Sequence, residues 1–191
     1  MKKIYLLVLL LTVFIQLAVP VRMILNREKV LRDGERFSFK TRPIDPADPF
    51  QGRFVRLQIQ DDYCTVPQEK AADFRGKQRI YAAIEVDEDG YARFTEGLQE
   101  IPESSAYLKT RTRGGYTAVR DSETCKVGLQ LPFNRFYMEE DKAPRAERIA
   151  ADASRRGDCW VDVRILNGRA VIEDVYVEGE SIRSLSRAPR Q

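Results

Sequence analysis

The hydrophobic positions of this chain fall into two regimes. Residues 4–21, IYLLVLLLTVFIQLAVPV, carry no charge and follow a short basic start at Lys2-Lys3. As a helix such a run is about 27 Å long, close to the hydrocarbon thickness of a bilayer. Gln16 and Pro20 are its only soft spots, and Pro20 lies near the exit, where a freed carbonyl reaches water. The run is longer than the about 7–15 apolar residues of a signal-peptide core, and small residues are nearly missing at its end. An uncleaved signal anchor over residues 1–25 is therefore favoured over a cleaved signal peptide.

Beyond residue 26 the pattern changes to alternation. Phe37 and Phe39 point one way, with Ser38 and Lys40 the other, as on a half-buried strand. The segment RPIDPADPF at 42–50 has no helical period, and its three prolines bias their predecessors away from helix. A strand is predicted over 53–60, with Val55, Leu57 and Ile59 on its apolar face. Three hairpins follow by composition. The first joins 78–86, where Ile80, Ala82, Ile84 and Val86 alternate, to 91–96 across Asp87-Glu88-Asp89-Gly90. The second joins 106–113 to 116–120 across Gly114-Gly115. The third joins 158–166 to 169–177 across Asn167-Gly168. Residues 125–133 read as a further strand.

One helix breaks the series. Asp141 is placed to cap it, Pro144 suits a first turn, residues 147–156 are helix formers, and Gly157 stops it after Arg155 and Arg156. The elements predict an α+β chain: an N-terminal transmembrane helix (1–25) and a mostly antiparallel β domain (26–191) with one substantial helix.

Composition narrows the chemistry. The 191 residues include no histidine, which excludes imidazole acid/base catalysis, Ser-His or Cys-His pairs and His-ligated metals within this chain. The formal net charge of +3 is accounted for by Lys2, Lys3 and Arg22, since every acidic residue lies after position 22. The rest of the chain is neutral, without the positive excess of a nucleic-acid binder. The basic stretches at 108–115 and 181–191 read as solvated surface. Arginines and lysines after the apolar run outnumber Lys2 and Lys3, which by counting favours a cytoplasmic domain. The layout of basic head, apolar run and long remainder is that of a secretory signal, and it places residues 26–191 outside the cytoplasmic membrane, in a periplasm where one exists. Cys64, Cys125 and Cys159 are too far apart for a zinc ribbon or a dithiol motif, and pairing of two or burial of all three both remain open.

The order of segments carries a resemblance. An anchor is followed by a loop bearing Pro43, Asp45, Pro46 and Asp48, then by Gly52-Arg53-Phe54-Val55-Arg56-Leu57-Gln58-Ile59, with RFYMEE at 135–140 as a later echo. This resembles the GDYXXLXY family of membrane-anchored bacterial proteins. Gly52 and Leu57 agree with the name-giving motif, Arg53 replaces its aspartate, Phe54 its first tyrosine and Ile59 its last. The resemblance brings no activity with it. What it implies is an envelope protein in the bacterial cytoplasmic membrane, working beside a polytopic membrane partner. Read from the residues alone, the motif is packing: Gly52 turns the chain out of the loop and the branched residues fill a sheet.

Other candidates weigh less. Ser38 and Lys40 share a strand face, and a Ser-Lys dyad is a nucleophile that needs no histidine; two polar residues on the exposed face of a strand are the ordinary outcome. The acidic turn at 87–90 reads as a hairpin and not as a calcium loop. Glu139, Glu140 and Asp141 suit a helix N-terminus, and Trp160 is expected in the core. No catalytic, cofactor or metal residue is assigned. The favoured function is a non-catalytic binding or accessory domain for a membrane partner. The competing one is an envelope hydrolase with a signal-peptidase-like β fold and a Ser-Lys or carboxylate site.

Overall fold

A computed structural model describes residues 2–42, 54–103, 106–120, 122–139 and 142–187. Helix α1, Lys2–Asp33, is 32 residues long and has the length and composition to cross a membrane. Strands β1 (Glu35–Lys40) and β2 (Phe54–Arg56) follow. Next come β3 (Tyr63–Pro67), a 3-10 helix (Gln68–Phe74), β4 (Arg79–Val86), β5 (Ala92–Leu98), β6 (Tyr107–Ala118) and β7 (Thr124–Leu129). The last third holds β8 (Arg135–Tyr137), helix α2 (Ala143–Arg156), β9 (Cys159–Leu166), β10 (Arg169–Val177), β11 (Glu180–Ser181) and the short helix α3 (Ile182–Leu185). The predicted plan of an apolar N-terminal helix, a mostly antiparallel β domain and one further substantial helix is the plan observed.

Pairing makes three nested layers. Along the chain, outermost is a four-stranded sheet, β1-β9-β10-β11; between its first two strands in sequence lies the ribbon β2-β8; and between the ribbon's strands in sequence lies a closed barrel in the order β3-β5-β4-β6-β7. Each layer is flanked in sequence by the two halves of the next. Barrel closure, with β3 and β5 parallel and the other pairs antiparallel, leaves its strands no open edge.

Helix α1 outruns its apolar run because residues 22–33 are good helix formers and nothing breaks them before Gly34. The large apolar side chains described between Ile4 and Leu25 are at least 43% exposed, whereas Val30 is 3% exposed against the domain. Gly34 N donates to the Val30 carbonyl at 2.9 Å. A Cβ at Gly34 would strike that carbonyl oxygen and lie 3.1 Å from Ile165 N. The helix foot is thereby pressed on to β9.

Phe39, fully buried, ties the sheet to the barrel: its ring stacks on Phe94 of β5 at 5.2 Å between centroids and lies 5.4 Å from Phe133. The Asn167-Gly168 turn ties them a second time. Its φ values of +50° and +74° make the I′ geometry that matches strand twist. Lys109 N of β6 donates to Gly168 O at 2.9 Å, and a Cβ at 168 would fall 2.6 Å from the Tyr107 ring. Helix α2 packs a stripe of Ala143, Ala146, Ala150 and Ala153, and Gly157 ends it at φ +82°.

Several expectations are corrected. Residues 106–120 form no hairpin: β6 runs straight through Gly114-Gly115, pairing with β4 over residues 107–111 and with β7 at Thr112 and over 116–118. The glycines serve an irregularity in the β6–β7 register, with Gly114 at φ +110°, where the strand bends to close the barrel. The strand expected over 53–60 stops at Arg56, although Val55, Leu57 and Ile59 are all buried as anticipated. Likewise the strand expected over 125–133 ends at Leu129. Val86 is 55% exposed, because β4 leaves the barrel wall at its end. Strand β3 and the 3-10 helix were not anticipated. The cap position of α2 is Lys142, with no side-chain cap bond, while Asp141 lies outside the described residues.

All three cysteines are free and buried. Burial pushes the Cys64 thiol up to about 12 from 9.0, and that of Cys159 upward as well. Cys64 therefore contributes stability below pH 9.0 that is lost as pH rises towards about 12. A three-unit rise cuts the thiolate fraction at pH 8 about a thousandfold. In the folded chain Cys64 should accordingly resist maleimide at pH 8 and react within minutes once denaturant is added. Peptide mapping of the labelled protein checks this, and rapid native labelling at Cys64 would refute it.

Candidate functional site

The motif strand meets its echo in the ribbon. In the β2–β8 register Phe54 faces Tyr137, Val55 faces Phe136 and Arg56 faces Arg135. Alternation sends Val55 and Phe136 inward, at 0% and 3% exposure, and leaves Phe54, Arg56, Arg135 and Tyr137 on the other face. The Phe54 and Tyr137 rings lie 5.7 Å apart, and the Arg135 guanidinium sits 4.9 Å from the Phe54 centroid. Two arginines directly opposite each other on a ribbon repel. Among the described residues neither has a carboxylate partner. The face thus offers two uncompensated cations beside two aromatic rings, with Tyr137 62% exposed.

After β2 the motif runs back along β1. Leu57 N donates to Asn134 O at 2.9 Å, Arg42 N to Gln58 O at 2.7 Å and Gln60 N to Lys40 O at 2.9 Å, while Ile59 bridges Thr41. Leu57 and Ile59 are therefore buried, and of the described positions that the motif's name specifies only Phe54 reaches the ribbon's outer face, beside Arg56. Asp45, Asp48, Pro43, Pro46, Gly52 and Arg53 lie outside the described residues, as does Glu140. Glu139 pairs with Lys142, whose hydrogen bond holds its carboxyl below the usual range.

Of the cavities that border the ribbon, two bear on its position. One of about 260 Å³ lies between β2 and α2, with Arg42, Arg56 and Gln58 on one wall and Glu147 and Asp152 on the other. A groove of about 890 Å³ runs between the foot of α1 and the sheet, lined by Ile24, Arg27, Arg135, Phe136 and Arg169 among others. The ribbon therefore stands where the helix leaves the domain.

Ser38 and Lys40 lie elsewhere, on the outer face of the four-stranded sheet. Ser38 Oγ donates to Asp162 Oδ1 at 2.5 Å, and Arg36 Nε donates to Asp162 Oδ2 at 2.9 Å. That hydrogen bond raises the Arg36 pKa further. Lys40 Nζ lies 3.5 Å from Asp89 and 4.3 Å from the Tyr91 ring centroid. The hydroxyl and the ammonium thus each have a carboxylate of their own. Trp160 is not in the core: it is half-buried on this face, stacked at 5.7 Å on Tyr176 and edge-on to Tyr91 at 6.1 Å. The 87–90 turn closes as a plain hairpin, with Asp87 N donating to Tyr91 O at 2.8 Å. Among the described residues no three Cys, Asp or Glu side chains gather as metal ligands would.

Sequence reasoning missed Arg56, Arg135 and Tyr137 as a unit. The alternation of RFY at 135–137 was the available signal, since it places Arg135 and Tyr137 on one face. No curated protein and no solved structure matches the chain. One family model does, that of the GDYXXLXY protein, over residues 16–175. The match runs from inside α1, through the motif strand and its partner β8, to β10. With most of its length matched in this way, the chain belongs to the GDYXXLXY family.

Proposed function

We propose that this protein is a single-pass, membrane-anchored accessory module of the bacterial envelope, whose extracytoplasmic β domain binds a polytopic membrane partner. The reading rests on one observation above all: the exposed face of the ribbon, with Arg56 opposite Arg135 and Phe54 beside Tyr137, stands at the foot of the membrane-competent helix. Arginine and tyrosine are the side chains that most often anchor interfaces, through stacking and bidentate hydrogen bonds. Unopposed like charges in register cost stability in the free domain, and an acidic partner loop would relieve that cost.

Extraction of the full chain from its native membrane in mild detergent, followed by mass spectrometry of what accompanies it, tests the proposal. A stoichiometric polytopic protein is expected with the wild type. The double variant Arg56→Glu, Tyr137→Ala should lose it by tenfold or more while keeping its fold by circular dichroism. Recovery of the wild-type chain alone would overturn the reading.

A further inference from the structure

The groove between α1 and the sheet differs from the ribbon face in what it can hold. We infer that it seats the phosphate of an anionic phospholipid from the leaflet in which α1 ends. This rests on the reading of α1 as a membrane span.

The position follows from helix geometry. A hydrocarbon core of about 30 Å takes about 20 helical residues. Counted from Ile4, the span ends near Met23 and Ile24, which are 64% and 61% exposed and line the lower end of the groove. At about 1.5 Å per residue, Arg27 stands roughly 5 Å above that boundary, within a headgroup layer about 5–8 Å deep. The groove thus opens at the depth of lipid phosphates, with apolar side chains below and cations above.

Its charge points the same way. Arg27, Arg135, Arg169 and Arg183 line it against the single carboxylate of Glu28. Arg183 is engaged already, with Asp174 at 3.8 Å and the Phe136 ring at 4.9 Å. Arg27, Arg135 and Arg169 are exposed, and among the described residues none has a carboxylate partner. Three guanidiniums without a carboxylate partner, of which Arg135 also rests on the Phe54 ring, suit a phosphodiester, which accepts bidentate hydrogen bonds from arginine. Basic residues near a membrane contribute about 1 kcal/mol each towards anionic lipid. The occupant is a lipid and not a free anion, because the exposed Met23 and Ile24 give acyl chains a wall that inorganic phosphate would not use.

The test uses the full chain reconstituted in phosphatidylcholine vesicles containing a minor fraction of phosphatidylglycerol, re-extracted and weighed by native mass spectrometry. Retained phosphatidylglycerol should exceed phosphatidylcholine at least tenfold relative to the vesicle ratio. The triple variant R27Q/R135Q/R169Q should erase that preference while still entering pure phosphatidylcholine vesicles. Equal retention of both lipids, a preference that survives in the triple variant, or displacement of the lipid by millimolar inorganic phosphate would each overturn the inference. Failure of the wild type to enter phosphatidylcholine vesicles would overturn the membrane reading along with it.

Discussion

Replacing Phe39 by alanine lowers the unfolding free energy of the chain by about 3–5 kcal/mol. Phe39 is fully buried and touches both halves of the domain, as part of a sheet strand packed on Phe94 of the barrel and on Phe133 beyond it. Truncation removes a large apolar surface and leaves a cavity that neither a closed barrel nor a strand held in register along β9 can collapse to fill. The aromatic contacts add about 0.5–1.5 kcal/mol beyond area. Denaturant unfolding of the detergent-solubilised chain, followed by near-ultraviolet circular dichroism, measures the loss. Phe39→Leu, which keeps most of the volume, should cost less than half as much. A loss below about 1 kcal/mol for the alanine variant would mean that the sheet and barrel are not packed through this ring.

Asp162→Ala should cost about 3 kcal/mol. The carboxylate is fully buried and accepts from Arg36 and from Ser38. Charge-assisted hydrogen bonds are worth about 1.5–3 kcal/mol each. Arg36 is 49% exposed and can turn to water when its partner goes, which keeps the cost at the lower end of the range for broken buried pairs. Ser38→Ala removes one donor and should cost about 1 kcal/mol. The comparison of the two variants by thermal unfolding also bears on function, since it asks what Ser38 is for. An Asp162→Ala protein as stable as the wild type would remove the structural explanation for that hydroxyl.

The sequence disclosed what is local and hid what is paired. The apolar helix, the alternation around Phe37 and Phe39, the Asn167-Gly168 turn and the Gly157 stop each obey a period or a turn chemistry written in adjacent residues. The barrel was invisible because β3 is only five residues long and closes it through a single-residue parallel match of Thr65 with Glu96. Gly114-Gly115 misled because two glycines serve a bend inside a strand as well as a turn between two. Trp160 was expected inside on residue type and Val86 by alternation along its strand, and neither lies in the core. The ribbon face was half legible: the motif around Phe54 stood out, but that Arg56 should face Arg135 depends on a pairing that residues so far apart in the chain cannot announce.

The nesting of the layers also orders events in time. The barrel, 63–129, is contiguous, so its contacts can all form while the chain is still being made. Among the described residues strand β1 pairs only with β9, whose residues arrive more than a hundred positions later. Until then the strand joined to the membrane helix has no neighbour to bond with, and its edge is open to any other extended chain. Folding would thus pass through a stage in which a finished barrel hangs from an unfinished sheet, with the edge of β1 still open beside the end of α1.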